Sequence, residues 1–310
     1  MRFGISTNWS ALRHESGEAL VDEILELGFD ALELGYHTTE ELAVGIRSRV
    51  EQGVISVDSV HAYCPVPIGA PHGYPELYLL ASTDDDERAM ARILLGKTLD
   101  FAVSMGARAV VLHAGRIPLK TVFRDFGTGR LVAVRREGGD LQCATYQRLL
   151  AKALRLRTKR VSSIFDGFCC SLETLLPRFE KANVTLCLEN LPSLEAFPNE
   201  QEMLLLNEHF NTPALGYWHD MGHGQIRENL EWIRHVDAVQ SLLPVTRGVH
   251  IHDVCSLLDD HAAPGEGMID FASFACFAPD HILKVFEPAP DVSADLLRTG
   301  LSLVKRAWSV

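Results

Sequence analysis

The chain has 310 residues, of which 47% are hydrophobic and 23% are charged. This composition is typical of a soluble globular protein, and the length suits one large barrel or two modest domains. No apolar run approaches the roughly 20 residues of a membrane-spanning helix, so we expect no membrane partner. The opening stretch MRFGISTNW has no signal-peptide core, and seven Cys without a CxxC pair predict free thiols in a reducing, cytoplasmic setting.

The formal net charge of −12 disfavours nucleic acid as a partner, because the chain would repel a polyphosphate. Residues 116–160 are an exception: they hold twelve Lys/Arg against three Asp/Glu, a local charge of +9 that leaves −21 on the rest of the chain. Two interpretations of this basic block stay open. It is a solvated face or a contact in a homo-oligomer, or it is an insertion that binds an anion.

Short apolar or β-branched runs alternate with amphipathic helical stretches along the whole chain. The predicted strands are 2–6, 31–34, 56–61, 107–113, 184–189, 214–218, 248–252 and 282–286. The predicted helices are 17–27, 39–52, 84–105, 171–182, 201–208, 230–235 and 293–306. Eight strands with helices between them predict an α/β fold with a parallel sheet, closed at this length into a (β/α)8 TIM barrel. No linker rich in Gly, Pro or Ser divides the chain, which predicts a single domain over 1–310.

The alternation is interrupted once, after the fourth strand. Residues 116–140 contain FRDFGTGRLVAVRREGG, whose Gly127-Thr128-Gly129 turn between short apolar runs predicts a hairpin. A basic extra helix is predicted near 141–160, before the barrel helix at 171–182. Because these additions follow a strand, we expect the insertion 116–160 on the face where such barrels keep their active sites.

Polar side chains recur where the predicted strands end. They are His61, His113, Glu189, Asp220, His223, His250, His252, Asp253 and Glu287, with Asp259 and His261 in the loop after the seventh strand. In a barrel these strand ends converge on one mouth. Carboxylates crowded there would repel one another unless a cation neutralised them. Carboxylates with imidazoles suit Zn²⁺, Mn²⁺ or related divalent ions, so the sequence predicts a metal site.

Single members of this set have plainer interpretations. Asp220, in GYWHDMGH, would serve equally well as the N-cap of the next helix. His219 and His252 are assigned to structure rather than to the site. A ligating imidazole needs a partner for its second nitrogen, and Glu33 and Asp253 are the candidates for that supporting role.

At these residues the sequence resembles the xylose isomerase-like TIM-barrel superfamily, which includes sugar isomerases and epimerases, inosose dehydratases and endonuclease IV. The resemblance covers nearly the whole chain and rests on VHAYCP, VVLHAG, LCLEN, HDMGH, HIHD, HAAPGEG and VFEP. The insertion 116–160 has no counterpart in it.

The isomerase and epimerase branch implies one divalent ion, such as Mn²⁺, Zn²⁺, Co²⁺ or Mg²⁺, and no nucleotide cofactor. Its ligands would be Glu189, Asp220, His250 and Glu287, with Glu189 and Glu287 also acting as acid and base on the two faces of a sugar carbon. The ion would make the α-proton acidic, so that an enediolate forms when a carboxylate removes it. His223 would contact substrate.

The endonuclease IV branch implies three zinc ions held by nine residues. These would be His61, His113, Glu189, Asp220, His223, His250, Asp259, His261 and Glu287, each of a suitable type. Three clustered ions suit phosphodiester cleavage. The acidic net charge and the apolar, Pro-rich loop at 65–82, which suits a lid over a small molecule, favour a sugar or sugar-phosphate isomerase or epimerase instead. A multi-zinc hydrolase and a cyclitol or keto-acid dehydratase are the alternatives.

Overall fold

Eight parallel strands close into a barrel in the computed structural model, which describes residues 1–309. The strands in chain order are β1 (Gly4–Ser6), β2 (Ala31–Leu34), β3 (Ser56–His61), β4 (Ala109–Leu112), β5 (Gly115–Arg116), β6 (Thr185–Glu189), β7 (Ala196–Phe197), β8 (Leu215–Asp220), β9 (Thr246–Ile251) and β10 (Leu283–Phe286). The barrel order is β1-β10-β9-β8-β6-β4-β3-β2, while β5 and β7 pair antiparallel outside it. The predicted (β/α)8 barrel is confirmed.

Helices follow the barrel strands as expected. They are α1 (Gly17–Glu26), α2 (Glu40–Glu51), α3 (Asp85–Met105), α4 (Thr128–Arg136), α5 (Ala144–Ala182), α6 (Glu200–Phe210), α7 (Met221–Asn229), α8 (His235–Leu242) and α9 (Ala294–Trp308). Ser16, Thr39, Asp84 and Asn199 begin their helices by accepting a hydrogen bond from a backbone N–H of the first turn. None of the helices within residues 1–309 is long and apolar enough to cross a membrane.

The barrel strands are buried on both faces, which is why they appear in the sequence as nearly continuous apolar runs. Inside the barrel, Trp218 packs with Val111, Cys187 and Val285 in a small separate core. The outer faces pack against the helices in one large core. This filled interior leaves the carboxyl ends of the strands as the place where polar side chains gather.

The insertion after β4 is helical, and the predicted hairpin at Gly127-Thr128-Gly129 is wrong. Gly127 precedes the first residue of α4, and the backbone N–H of Thr128 donates to the Glu195 carboxylate at 2.9 Å. A carboxylate at the start of a helix accepts hydrogen bonds from backbone N–H groups that have no partner within the helix. It also interacts favourably with the helix dipole. Glu195, which is distant in sequence, therefore stabilises the start of a helix where the local sequence predicts a hairpin. A single antiparallel bridge does occur nearby, between Lys120 and Asp125.

Two further boundaries differ from the prediction. The basic helix expected at 141–160 and the barrel helix expected at 171–182 are one helix, α5, of 39 residues. The helix predicted at 230–235 is absent, since residues 230–234 form no helix. The chain instead forms α7 directly after β8, turns at Glu231 with a φ of 57°, and begins α8 at His235.

The insertion packs on the loop that follows β6. Leu131, Leu141 and Tyr146 form a satellite core against Leu194 and Trp232. Below it, the buried Arg157 of α5 pairs with Glu202 of α6 and donates to the backbone carbonyls of residues 194 and 196. The insertion therefore braces the segment that leads away from the end of β6.

Replacing Arg157 by Ala leaves the buried Glu202 without its cation, and we expect the free energy of unfolding to fall by about 3 kcal/mol. Arg155 lies on the same helix but is exposed, so Arg155→Ala is the matched control and should stay within about 0.5 kcal/mol of wild type. Urea denaturation measures both. Equal stability of Arg157→Ala and wild type would contradict the bracing role.

Candidate metal centre

Four of the predicted residues meet at the carboxyl ends of their strands. Glu189 ends β6, Asp220 ends β8, His250 is the fifth residue of β9 and Glu287 directly follows β10. We call these four the tetrad. Each offers a ligand atom, and the four atoms all lie within 4.8 Å of one another.

The donor set of the tetrad fits a divalent cation. His250 Nδ1 lies 3.1 Å from Glu287 Oε2, 3.4 Å from Glu189 Oε1 and 3.7 Å from Asp220 Oδ2. All four side chains are buried. Three carboxylates around one buried point repel one another strongly unless positive charge lies between them. One imidazole with three carboxylates is a ligand set for Zn²⁺ or Mn²⁺.

Glu33 fixes the orientation of His250, the role predicted for it. Its carboxylate accepts from His250 Nε2 at 3.0 Å and from the Ser59 hydroxyl at 2.8 Å. Nδ1 of the same ring therefore faces the tetrad. Burial alone would lower the pKa of His250, but Glu287, Glu33 and Glu189 raise it well above its usual value.

Asp220 belongs to the tetrad and is also an N-cap, so the two interpretations of GYWHDMGH are compatible. Oδ1 accepts from the backbone N–H of His223 at 2.6 Å and starts α7. Its backbone is held by the Asn190 side chain, which accepts from Asp220 N at 2.7 Å and donates to Asp220 O at 2.9 Å. Although burial opposes it, His223 and His252 hold the pKa of Asp220 far below its usual range.

His252, which the sequence analysis assigned to structure, contacts the tetrad through Asp220. Its Nδ1 accepts from the backbone N–H of His261 at 2.9 Å, so the ring proton lies on Nε2, which donates to Asp220 Oδ2 at 2.8 Å. Gly222 makes room for this ring, because a Cβ there would lie 2.0 Å from His252 Cε1. The available signal was the alternation in HIHD, which puts His252 on the same strand face as His250.

His61 and His113 flank Glu189 on one side of the tetrad. Their Nε2 atoms lie 3.1 and 3.2 Å from Glu189 Oε2. His61 is fixed by its Nδ1, which donates to the carbonyl of Ala62 at 3.0 Å. Burial would lower the pKa of His113, but Glu189 and Glu76 raise it to about 9. In turn, His113 and His250 keep the pKa of the buried Glu189 well below its usual value.

On the other side, His223, His261 and Asp260 form a further group of donor atoms within 4.8 Å of one another. His223 Nδ1 donates to Asn190 O and His261 Nδ1 donates to Glu287 O, each at 2.8 Å, so both Nε2 atoms face the group. The predicted Asp259 is exposed and lies outside it. Its backbone carbonyl closes a turn with Cys255 N at 2.9 Å, and that turn presents Asp260 instead.

Asp253 supports this loop rather than an imidazole. Its carboxylate accepts from four backbone N–H groups at 2.8 to 3.0 Å. The donors are Val254, Gly265, Gly267 and Ile269. Asp253 thus shapes the segment that carries Asp260 and His261, which differs from the predicted contact with a ligating histidine.

A family model described as xylose isomerase-like TIM barrel matches residues 21–277. The chain belongs to this family. No curated protein matches it. Among solved structures, a D-tagatose 3-epimerase-like protein is 19% identical with a TM-score of 0.67, and the alignment covers 99% of each chain.

Two other solved structures share the fold at lower identity. The 3-keto-D-glucoside 4-epimerase from E. coli is 14% identical with a TM-score of 0.69, over 99% of each chain. A probable 3-DHS dehydratase from Bacillus anthracis is also 14% identical, with a TM-score of 0.59, over 98% of this chain and 99% of the other. At such identities these likenesses establish the fold alone.

Behind the site, α7 rests on a buried polar chain that faces away from the tetrad. Tyr217 Oη lies 3.0 Å from His219 Nδ1, and His219 Nε2 lies 2.9 Å from His235 Nε2. Burial lowers the pKa of His235 to about 4 and that of His219 well below its usual value, so both rings are neutral. Gly224 of α7 approaches closely, since a Cβ there would lie 2.2 Å from His235 Nε2.

The depressed pKa of His235 predicts a pH-dependent stability. An unfolded histidine titrates near 6.5, so the stabilising effect of the neutral ring is present above about pH 6.5 and is lost as the pH falls towards 4. We expect the difference in unfolding free energy between wild type and His235→Gln to shrink by about 3 kcal/mol from pH 7 to pH 4. Denaturation at several pH values tests this, with the exposed His281→Gln as control. Parallel curves for wild type and His235→Gln would refute it.

Proposed function

We propose that the protein is a divalent-metal-dependent isomerase or epimerase that transfers a proton at the carbon beside the carbonyl of a sugar or sugar phosphate. The observation that carries this proposal is the pair Glu189 and Glu287 around His250. Strands β9 and β8 lie between β10 and β6 in the barrel, so the two glutamates approach the centre from different sides. Two carboxylates so placed suit proton removal from one face of a carbon and return to the other.

A divalent ion bound by the tetrad would supply Lewis-acid polarisation of the substrate's carbonyl and hydroxyl oxygens. The residues do the proton transfer. Glu189 is ionised, because His113 and His250 hold its pKa low, and it accepts the α-proton. His61 and His113 occupy its Oε2, which leaves Oε1 turned towards the centre. Glu287, protonated at the start of the step, gives its proton to the resulting enediolate from the other side, and proton exchange with water then returns both glutamates to their starting states.

The comparisons support this choice of chemistry. Two proteins that share the fold over 99% of the chain carry the names of a D-tagatose 3-epimerase-like protein and a 3-keto-D-glucoside 4-epimerase. Both names describe a change of configuration at a sugar carbon. Proton removal beside a carbonyl accounts for such a change, and the tetrad provides the groups for it.

A second candidate is a multi-zinc phosphodiester hydrolase, which one observation favours. The groups His61–His113–Glu189 and His223–Asp260–His261 flank the tetrad with further donor atoms within 4.8 Å of one another. Such an enzyme would also need free cations for phosphates. Arg157 and Arg160 of the basic block are instead committed to Glu202 and to the backbone carbonyls of residues 118 and 120.

Metal content separates the two candidates. We expect about one divalent ion per chain, because one ion occupies the four donor atoms of the tetrad and suffices for enediolate chemistry. Elemental analysis of protein purified without added metal measures this number. A content near three zinc ions would favour the hydrolase, and cleavage of abasic-site DNA would then be the decisive assay.

Glu189→Gln and Glu287→Gln should each lower proton transfer by more than about 10³-fold, because each removes one partner of the acid–base pair. Exchange of substrate hydrogen with D₂O, followed by NMR on D-tagatose and D-fructose, measures the transfer directly. The exposed Glu26→Gln on α1 is the control and should keep the wild-type rate. Wild-type exchange by either active-site variant, or no exchange on any ketose by the wild type, would overturn the proposal. Loss of water from the substrate would point to a dehydratase.

A further inference from the structure

One carboxylate of the loop at 65–82 lies beside the candidate metal centre. Glu76 lies in this loop with its side chain largely buried. Arg116 holds it with two donors, Nε at 2.8 Å from Oε2 and Nη2 at 2.7 Å from Oε1. The same guanidinium donates to Ser193 Oγ at 3.0 Å, in the loop that follows Glu189. Arg116 thus fixes Glu76 in position and ties its loop to β5 and to the loop that follows β6.

Glu76 faces the back of an imidazole that contacts Glu189. Its Oε1 lies 3.7 Å from His113 Nδ1, an ion-pair distance, while His113 Nε2 lies 3.2 Å from Glu189 Oε2. His113 Nδ1 is buried and has no hydrogen-bond partner among the described residues. The carboxylate is the acceptor that it faces.

His113 differs in this respect from the other imidazoles of the centre. Five of the six have their second nitrogen fixed by the barrel and its strand-end loops: His61 by Ala62, His223 by Asn190, His250 by Glu33, His252 by His261 and His261 by Glu287. Only His113 relies on a side chain from the loop at 65–82. The orientation of its ring therefore depends on where that loop lies.

We infer that Glu76 is a positioning residue for Glu189, an inference that rests on the proposed function. The Glu76 carboxylate, locked by Arg116, faces Nδ1 of His113 and so holds the ring with Nε2 turned towards Glu189 Oε2. Glu189 is then held with Oε1 turned towards His250 and the middle of the tetrad. All groups of the centre are in place only while the loop at 65–82 covers it. The loop position that covers the substrate therefore also aligns Glu189 as the base.

The first test is Glu76→Gln, whose amide keeps the size of the side chain but loses its charge. We expect kcat for proton exchange on the fastest of the tested ketoses to fall about 10- to 100-fold, as for other groups that orient an active-site histidine. KM should change by less than about threefold, because Glu76 does not touch substrate. Glu26→Gln again serves as the control.

A charge swap separates positioning from simple tethering. The double variant Glu76→Arg with Arg116→Glu restores an ion pair between the loop and β5 but puts a cation against His113. If Glu76 only tethers the loop, the swap recovers the rate lost by Glu76→Gln, and the inference is wrong. If the carboxylate positions His113, the swap stays at least as slow as Glu76→Gln.

A second measurement does not depend on turnover. Nitrogen-15 NMR of zinc-loaded protein measures the chemical shifts of the two ring nitrogens of His113, with the resonances assigned by their loss in His113→Asn. We expect the Nδ1 resonance to shift in Glu76→Gln, because the side chain that this nitrogen faces has lost its charge. Unchanged His113 resonances in Glu76→Gln would overturn the inference even if the rate fell.

The two proposals fail in different ways. If Glu189→Gln keeps the wild-type exchange rate, the proposed function falls, and the positioning of Glu189 falls with it. If Glu189→Gln is inactive while Glu76→Gln keeps both the wild-type kcat and the wild-type His113 resonances, the proposed function stands and only the role of Glu76 is lost.

Discussion

The structure depends on the crowding of three carboxylates and one imidazole at a single buried point. Glu189, Asp220 and Glu287 would repel one another there. The histidines around Glu189 and Asp220 lower the pKa of those two carboxyls. The compensation comes from distant parts of the chain: His61 from β3, His252 from beyond β9 and His223 from α7. Only a closed barrel brings all of these strand ends to one mouth. The arrangement of charges in the centre therefore depends on the closed barrel.

The sequence was most informative where local pattern and topology agree. Barrel strands buried on both faces appear as apolar runs, and the polar residue that ends each run marks the mouth. The pattern thus placed all four members of the tetrad at strand ends, and the family resemblance grouped them as one predicted ligand set. The structure brings their ligand atoms within 4.8 Å of one another. Asp220 shows the limit of such reasoning, because cap and ligand looked like alternatives. Asp220 serves both purposes because its carboxylate has two oxygens. Oδ1 accepts the backbone N–H at the start of α7, and both oxygens accept from His252.

Long-range contacts account for what the sequence could not predict. A helix replaces the predicted hairpin because Glu195, far along the chain, supplies acceptors at its start. Asp260 rather than Asp259 joins the donor atoms because Asp253 gathers four backbone N–H groups and sets the course of that loop. Glu76 lies in a loop without periodicity, and its importance emerges only when its neighbours Arg116 and His113 are seen. No local pattern in the sequence indicates these contacts.

The unbroken course of α5 has a consequence for how the insertion relates to the barrel. A helix of 39 residues that begins in the insertion and ends just before β6 offers no joint at which the two could swing independently. Arg157 and the satellite core around Tyr146 fasten its first half to the loops at the mouth. The basic segment is thus a rigid wall beside the mouth of the barrel. Its fixed shape limits which molecules can enter or leave there.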